Sequence, residues 1–263
     1  MKLLLKIFGI ISLLIWCCVW GIGCATVDKA MFQPPPASYG PSGLTTLSLA
    51  DGQTVAAKFY ANPDADFSVL LCHGNAEDIG HGDPFHRLYQ AQGFQVLAVD
   101  YPGYGLSPGT PTEASSVAAA RAGYDFLVKE KGTDPASIIL HGRSIGGGVA
   151  SQFAVEKPVG AVILESTFVS VVRVVTKVPI IPIDRFRNSK KIGSFDAPVL
   201  IIHGTADRLI PQWHAETLFK KAKGMKELYL VEGAGHNDLF PTAGEMYFRK
   251  IRAFVEKVEK LPR

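Results

Sequence analysis

The sequence predicts an α/β protein built on a mostly parallel, eight-stranded sheet with helices on both faces. Two observations predict it: short apolar runs rich in β-branched residues recur along the chain, and stretches with helical spacing separate most of them. The runs fall at 44–49, 54–60, 67–72, 95–99, 137–140, 161–164, 199–202 and 227–231. Most are continuously apolar rather than alternating, as expected of parallel strands covered on both faces. An antiparallel pair is expected early in the chain. Helical spacing covers 113–131, 145–156, 212–221 and 244–259. Pro111 and Thr112 supply a start for the first of these, and Gly132 a stop. In the second, Val149, Phe153 and Ala154 share one face. Right-handed crossovers then lay the later strands side by side. The chain contains no internal repeat and no low-complexity tract.

Composition bounds the rest. The 263 residues are 47% hydrophobic and 19% charged, with 26 Gly and 17 Pro, which fits one domain with a large core and many turns. A net charge of +3, without a dense basic stripe interleaved with aromatics, argues against a nucleic-acid partner. Cys17, Cys18 and Cys24 lie in the N-terminal apolar segment, leaving Cys72 alone in the body. No disulfide is expected there, and Cys72 reads as a small buried hydrophobe in a strand.

Lys2 and Lys6 precede an uncharged run, 7–27, that ends at Asp28. Residues 1–27 therefore read as a signal peptide or membrane anchor, since about 20 apolar residues can span a bilayer. Gly21-Ile22-Gly23-Cys24 resembles the bacterial lipobox, with Gly21 where Leu is usual. A lipid-bearing Cys24 and a plain transmembrane helix both stay open, and a buried core helix is the third reading. The first two give one topology: export, with the body tethered on the non-cytoplasmic side. Residues 28–43, with Pro34-Pro35-Pro36, read as an extended linker, and 44–263 as the folded domain.

The strongest chemical signal is Gly142-Arg143-Ser144-Ile145-Gly146, directly after a strand and directly before a helix. A serine on so sharp a turn needs small flanking residues, and the helix N-terminus brings free N–H groups toward its hydroxyl. Gly147 and Gly148 permit close helix–strand approach. A serine hydroxyl needs a base. His236, in Glu232-Gly233-Ala234-Gly235-His236-Asn237, follows the last strand, and Asp207, in His203-Gly204-Thr205-Ala206-Asp207, follows the one before it. All three sit where loops leave the carboxyl edge of the sheet, in the order serine, acid, histidine.

Glu165 is the second choice of acid. Asp100, ahead of Tyr101-Pro102-Gly103-Tyr104-Gly105, reads as an acceptor for loop amides, and Asp238 as a cap for the following turn. The oxyanion donors are expected to be the amides of Ile145 and Asn75, with Ala76 in reserve. His73 reads as a support for the loop that carries Asn75. His81 and His86 find no third ligand at sensible spacing, so no metal is expected.

These motifs together resemble the α/β-hydrolase superfamily over residues 68–256. Leu71-Cys72-His73-Gly74-Asn75-Ala76 and the four motifs above are similar to the branch of membrane-tethered hydrolases that includes the α/β-hydrolase-domain protein depalmitoylases and their bacterial homologues. The resemblance implies an α/β-hydrolase fold with Ser144, Asp207 and His236 as a catalytic triad. It implies hydrolysis of a carboxylic ester or thioester through an acyl-serine, with no cofactor. The partners expected are a small-molecule or acyl substrate, and the membrane through the N-terminal segment.

Residues 165–198 leave room only for a short cap. Its valines, Val171, Val172, Val174, Val175 and Val178, either line an acyl site or pack on the sheet. Arg143 is read as a ligand for an anionic head group or, in preference, as a salt-bridge partner. Two rival functions stay open: cleavage of a peptide bond at an N-terminus, and a non-catalytic tethered binding protein on the same scaffold.

Overall fold

Eight strands form one sheet in the order β1-β2-β4-β3-β5-β6-β7-β8. They are β1 (Thr45–Ser48), β2 (Thr54–Tyr60), β3 (Ser68–Cys72), β4 (Gln95–Val99), β5 (Ile138–Arg143), β6 (Ala161–Glu165), β7 (Val199–Gly204) and β8 (Lys226–Val231). Strand β2 pairs antiparallel with both β1 and β4, and every other pairing is parallel. This is a computed structural model describing residues 28–29, 31–176 and 184–262. The expected signal or anchor segment, 1–27, lies outside the described residues. Among those described, no helix is long and apolar enough to cross a membrane.

The side chains of the central strands alternate between two cores, as a two-residue period requires. Leu70, Leu140, Val162 and Ile201 face one layer, while Val69, Leu71, Ile139, Ile163 and Leu200 face the other. The first core is closed by α2 (Glu113–Asp125), α3 (Ile145–Glu156) and α6 (Trp213–Lys221), which contribute Val117, Val149, Phe153 and Leu218. The second is closed by α1 (Asp83–Ala91) and α8 (Glu245–Glu259) through Tyr89, Tyr247, Ile251 and Phe254. The pairings Cys72–Gly142 and Arg143–Glu165 bring the ends of β3, β5 and β6 together at one edge.

Local sequence accounts for several boundaries. Thr112 caps α2 in a reciprocal arrangement with Ser115, and Gly132 ends the segment at φ +68°. The single helix expected over 113–131 instead changes to a π-helix at Phe126–Glu130. Helix α1 was not anticipated, because much of its buried face is His86 and Tyr89 rather than an aliphatic stripe. The short cap contains α4 (Val171–Val175) and α5 (Asn188–Lys191). Residues 177–183, with Val178, lie outside the described residues.

The reading of 28–43 as an extended linker needs correction. Met31 and Phe32 are buried, and the Phe32 ring meets Tyr104 and Phe186 edge-on at 6.4 and 6.3 Å. Arg185 pairs with Asp28 at 2.7 Å. The Ser38 amide donates to Asp78 at 2.8 Å, and the Tyr39 hydroxyl donates to Asp100. Burying an aromatic ring and satisfying buried carboxylates outweigh the extended preference of the prolines, which only bridge the two anchor points.

Candidate active site

Ser144 occupies the junction of β5 and α3 with φ +52° and ψ −115°, a backbone conformation unfavourable for any residue with a Cβ. The surroundings enforce it. The Ser144 amide donates to the Glu165 carbonyl at 2.8 Å, and its own carbonyl accepts from the Thr167 hydroxyl at 2.8 Å. The flanking glycines are required by contact: a Cβ on Gly146 would lie 2.0 Å from the Cys72 carbonyl oxygen, and one on Gly142 would lie 2.3 Å from that of Gly146. The turn therefore presses the end of β3 against the start of α3.

His236 reaches this serine from the loop after β8. Its Nε2 lies 3.1 Å from Ser144 Oγ, and its Nδ1 lies 2.8 Å from Asp207 Oδ2. With the Nδ1 proton donated to the carboxylate, Nε2 presents a lone pair to the hydroxyl. The Asp207 side chain has no solvent exposure, and its other oxygen accepts from the amides of Leu209 at 2.9 Å and Ile210 at 2.8 Å. Burial pulls this carboxyl upward, but the His236 hydrogen bond, the Ile210 amide and two neighbouring imidazoles outweigh it. The acid is held below the usual carboxylate range. The three residues picked from sequence thus come together, 92 and 29 positions apart along the chain.

The histidine loop is fastened from several sides that the sequence did not announce. Ser166, itself at φ +45°, donates from its hydroxyl to the His236 carbonyl at 3.2 Å. Asp238 was expected to cap the turn that follows. Its carboxylate instead turns back to accept from the Gly235 amide at 2.6 Å, and its backbone carbonyl serves α7 (Leu239–Ala243). Arg143 Nη2 donates to the Asn237 side-chain oxygen at 2.7 Å.

Glu165, the second-choice acid, serves a different network. It accepts from the Tyr247 hydroxyl, lies 3.1 Å from His141 Nε2 and 3.5 Å from Arg143 Nε. Burial alone would raise its pKa, yet His141, Arg143 and Tyr247 together lower it to about 2. Asp100 accepts from the Ile79 amide at 2.9 Å, consistent with an acceptor for loop amides.

On the opposite side of the serine lies the loop after β3. The Gly74 amide is taken by Glu77 Oε1 at 2.5 Å, which removes it as an oxyanion donor. Asn75 Oδ1 accepts from the Tyr104 hydroxyl at 2.8 Å and the Gln33 amide at 2.9 Å, so the side chain is held from both sides. His73 stacks on Tyr101 at 4.1 Å, and its Nδ1 lies 2.7 Å from the Gly74 carbonyl, a loop-supporting position. Ile145 opens α3, where amides have no intrahelical acceptor. Cys72 is buried and free, with its thiol pushed up to about 12 by burial. His81 and His86 serve Asp78 and Tyr60, and among the described residues no group of three or more His, Cys, Asp or Glu could hold a metal ion.

Known proteins resemble this chain over most of its length. Residues 63–190 match the family described as serine aminopeptidase, S33. The chain is 32% identical over 237 residues to an uncharacterized protein of Mycobacterium tuberculosis, covering 87% of this chain and 84% of that one. It is 36% identical over 211 residues to the human alpha/beta hydrolase domain-containing protein 17B, covering 78% of this chain and 72% of that protein.

The chain belongs to the α/β-hydrolase superfamily.

Solved structures agree with this α/β-hydrolase fold. The Pyrococcus furiosus esterase Pf2001 superposes with a TM-score of 0.72 at 18% identity, over 86% of this chain and 98% of that one. A monoacylglycerol lipase from Paleococcus ferrophilus gives 0.60 at 24%, over 77% and 98%. Within the cap of this α/β hydrolase, Val171 and Val174 pack against the first core and Val172 is buried. For Val171 and Val174, packing on the body is the reading that applies.

Proposed function

We propose that this hydrolase cleaves carboxylic esters or thioesters of acyl or lipid-like substrates through an acyl-serine intermediate. The observation that carries the reading is the unbroken hydrogen-bonded chain Asp207–His236–Ser144, at 2.8 and 3.1 Å. In that arrangement His236 Nε2 takes the Ser144 proton as Oγ attacks the acyl carbon. The imidazolium that forms is stabilised by Asp207, and the oxyanion by the amides of Ile145 and Asn75. Collapse of the tetrahedral species expels the alcohol or thiol, which leaves with the proton from His236. Water then attacks the acyl-serine by the same route in reverse, releasing the carboxylic acid and restoring Ser144.

The esterase and lipase among the solved neighbours favour an acyl bond of this kind. A second reading, cleavage next to a free amino terminus, is favoured by the match of residues 63–190 to a family described as serine aminopeptidase. Tethering belongs to the proposal as well. Lys2 and Lys6 ahead of the uncharged run 7–27 support export, with the body held at a membrane.

Turnover of p-nitrophenyl esters of graded chain length, acyl thioesters and aminoacyl anilides by the purified protein decides between the bonds. Esters or thioesters should exceed anilides in kcat/KM by roughly 100-fold or more, since an anilide's leaving group is poorer. The opposite ranking would move the assignment to a peptidase.

A further inference from the structure

Arg143 precedes the nucleophile, and its guanidinium touches three separate segments. Nη1 lies 2.5 Å from Glu77 Oε2 in the loop after β3, Nη2 donates to Asn237 in the histidine loop, and Nε lies 3.5 Å from Glu165 at the end of β6. Glu77 passes the constraint on, because its second oxygen accepts the Gly74 amide at 2.5 Å. One planar cation therefore connects the residue before the proposed oxyanion donor, Asn75, to the residue after the proposed base, His236.

We propose that Arg143 is a positioning residue that sets the oxyanion loop and the histidine loop at once, through Glu77 and Asn237. The inference rests on the serine-hydrolase reading of the same site and adds a device to it. The fork geometry is specific to a guanidinium, since a lysine ammonium is a point charge that cannot present three donors in one plane. Glu77 suits its part. Burial works to raise its pKa, but the charge of Arg143, His73 and the Gly74 amide hold it below the usual range, so it stays a carboxylate. The pair also faces open space. A cavity of about 240 Å³ is lined by Glu77, Arg143, Glu165 and Asn237 together with Phe85 and Phe240. Half-buried Arg143 thus fixes the loops by hydrogen bonds that packing alone would not replace.

The cavity makes the idea testable by chemical rescue. The assay is steady-state p-nitrophenyl ester hydrolysis by the full chain, with Ser144→Ala as the control for the underlying reading. Arg143→Ala, Arg143→Lys, Glu77→Gln and the double variant Glu77→Gln/Arg143→Ala are compared with wild type. The expected result is a kcat 10- to 100-fold lower for Arg143→Ala, with KM within about threefold, the scale of a small displacement of catalytic groups. Millimolar guanidinium should restore a measurable part of kcat in Arg143→Ala and leave wild type unchanged. The double variant should be no slower than the slower single one, since both act through one connection. Arg143→Lys should recover less than guanidinium does.

A kcat within threefold of wild type for Arg143→Ala would overturn the proposal. So would a loss carried by KM, which would make Arg143 a substrate ligand, or a loss that guanidinium leaves untouched. If Arg143→Ala does not fold, Glu77→Gln carries the test alone: kcat unchanged in that variant contradicts the inference. Failure of the underlying reading looks different, since Ser144→Ala would then hydrolyse the ester as fast as wild type.

Discussion

At the scale of single residues, the site separates two buried acids by what surrounds them. Asp207 receives two backbone amides and faces the His236 ring, whereas Glu165 is committed to His141, Tyr247 and Arg143. Only the first can hold an imidazole in the tautomer that presents Nε2 to Ser144. Asp207→Asn should therefore lower kcat by roughly 10⁴, as expected when the histidine is left in the wrong tautomer. Glu165→Gln should keep kcat within about tenfold and instead cost about 1–3 kcal/mol of unfolding free energy, through unpaired groups around it. Steady-state kinetics paired with urea denaturation of both variants checks this. A Glu165→Gln enzyme as slow as Asp207→Asn would reverse the assignment.

At the scale of elements, the legible parts of the sequence were those whose signals are local. Continuous β-branched runs marked all eight strands to within a few residues, because a strand buried on both faces has little freedom in composition. Ser144, Asp207 and His236 were legible because each lies where a strand ends in a glycine-containing turn. The Gly146 contact with Cys72 shows why that glycine is there. What the sequence hid depends on distant partners. Arg143 was read as a salt-bridge partner and is one, but its partners Glu77 and Asn237, like the link from Ser166 to His236, lie some 65 to 95 positions away, and no short pattern announces such pairs. The prolines at 34–36 argued for an extended linker, while the decisive residue was Phe32, whose partners Tyr104 and Phe186 are known only from the fold. That strap also reaches the Asn75 side chain through Gln33, so the chain entering from the N-terminal side bears on the proposed oxyanion loop.

At the scale of the whole molecule, the buried ionisable groups set how stability responds to acid. Desolvation first of all lowers His86 and His214 to about 4 from an ordinary 6.5. Between those values the unfolded chain binds protons that the folded chain refuses, so stability falls as pH drops from 6.5 toward 4. Glu165, at about 2 against an ordinary 4.5, adds a second loss as pH drops from 4.5 toward 2. Urea midpoints measured from pH 8 to pH 3 should be level above 7 and then decline through both windows, and His86→Phe should make the upper decline shallower, leaving the part that His214 contributes. A midpoint that rises on acidification through pH 6 would contradict this. The central claim is that one hydroxyl, one imidazole and one carboxylate form a working relay at the carboxyl edge of the sheet. Its most direct test is mass-spectrometric mapping of the adduct left by a fluorophosphonate. The relay predicts a single phosphonylated residue, Ser144, formed rapidly in wild type and lost or greatly slowed in His236→Ala. An adduct on another residue, or none where a control serine hydrolase is fully labelled, would contradict it.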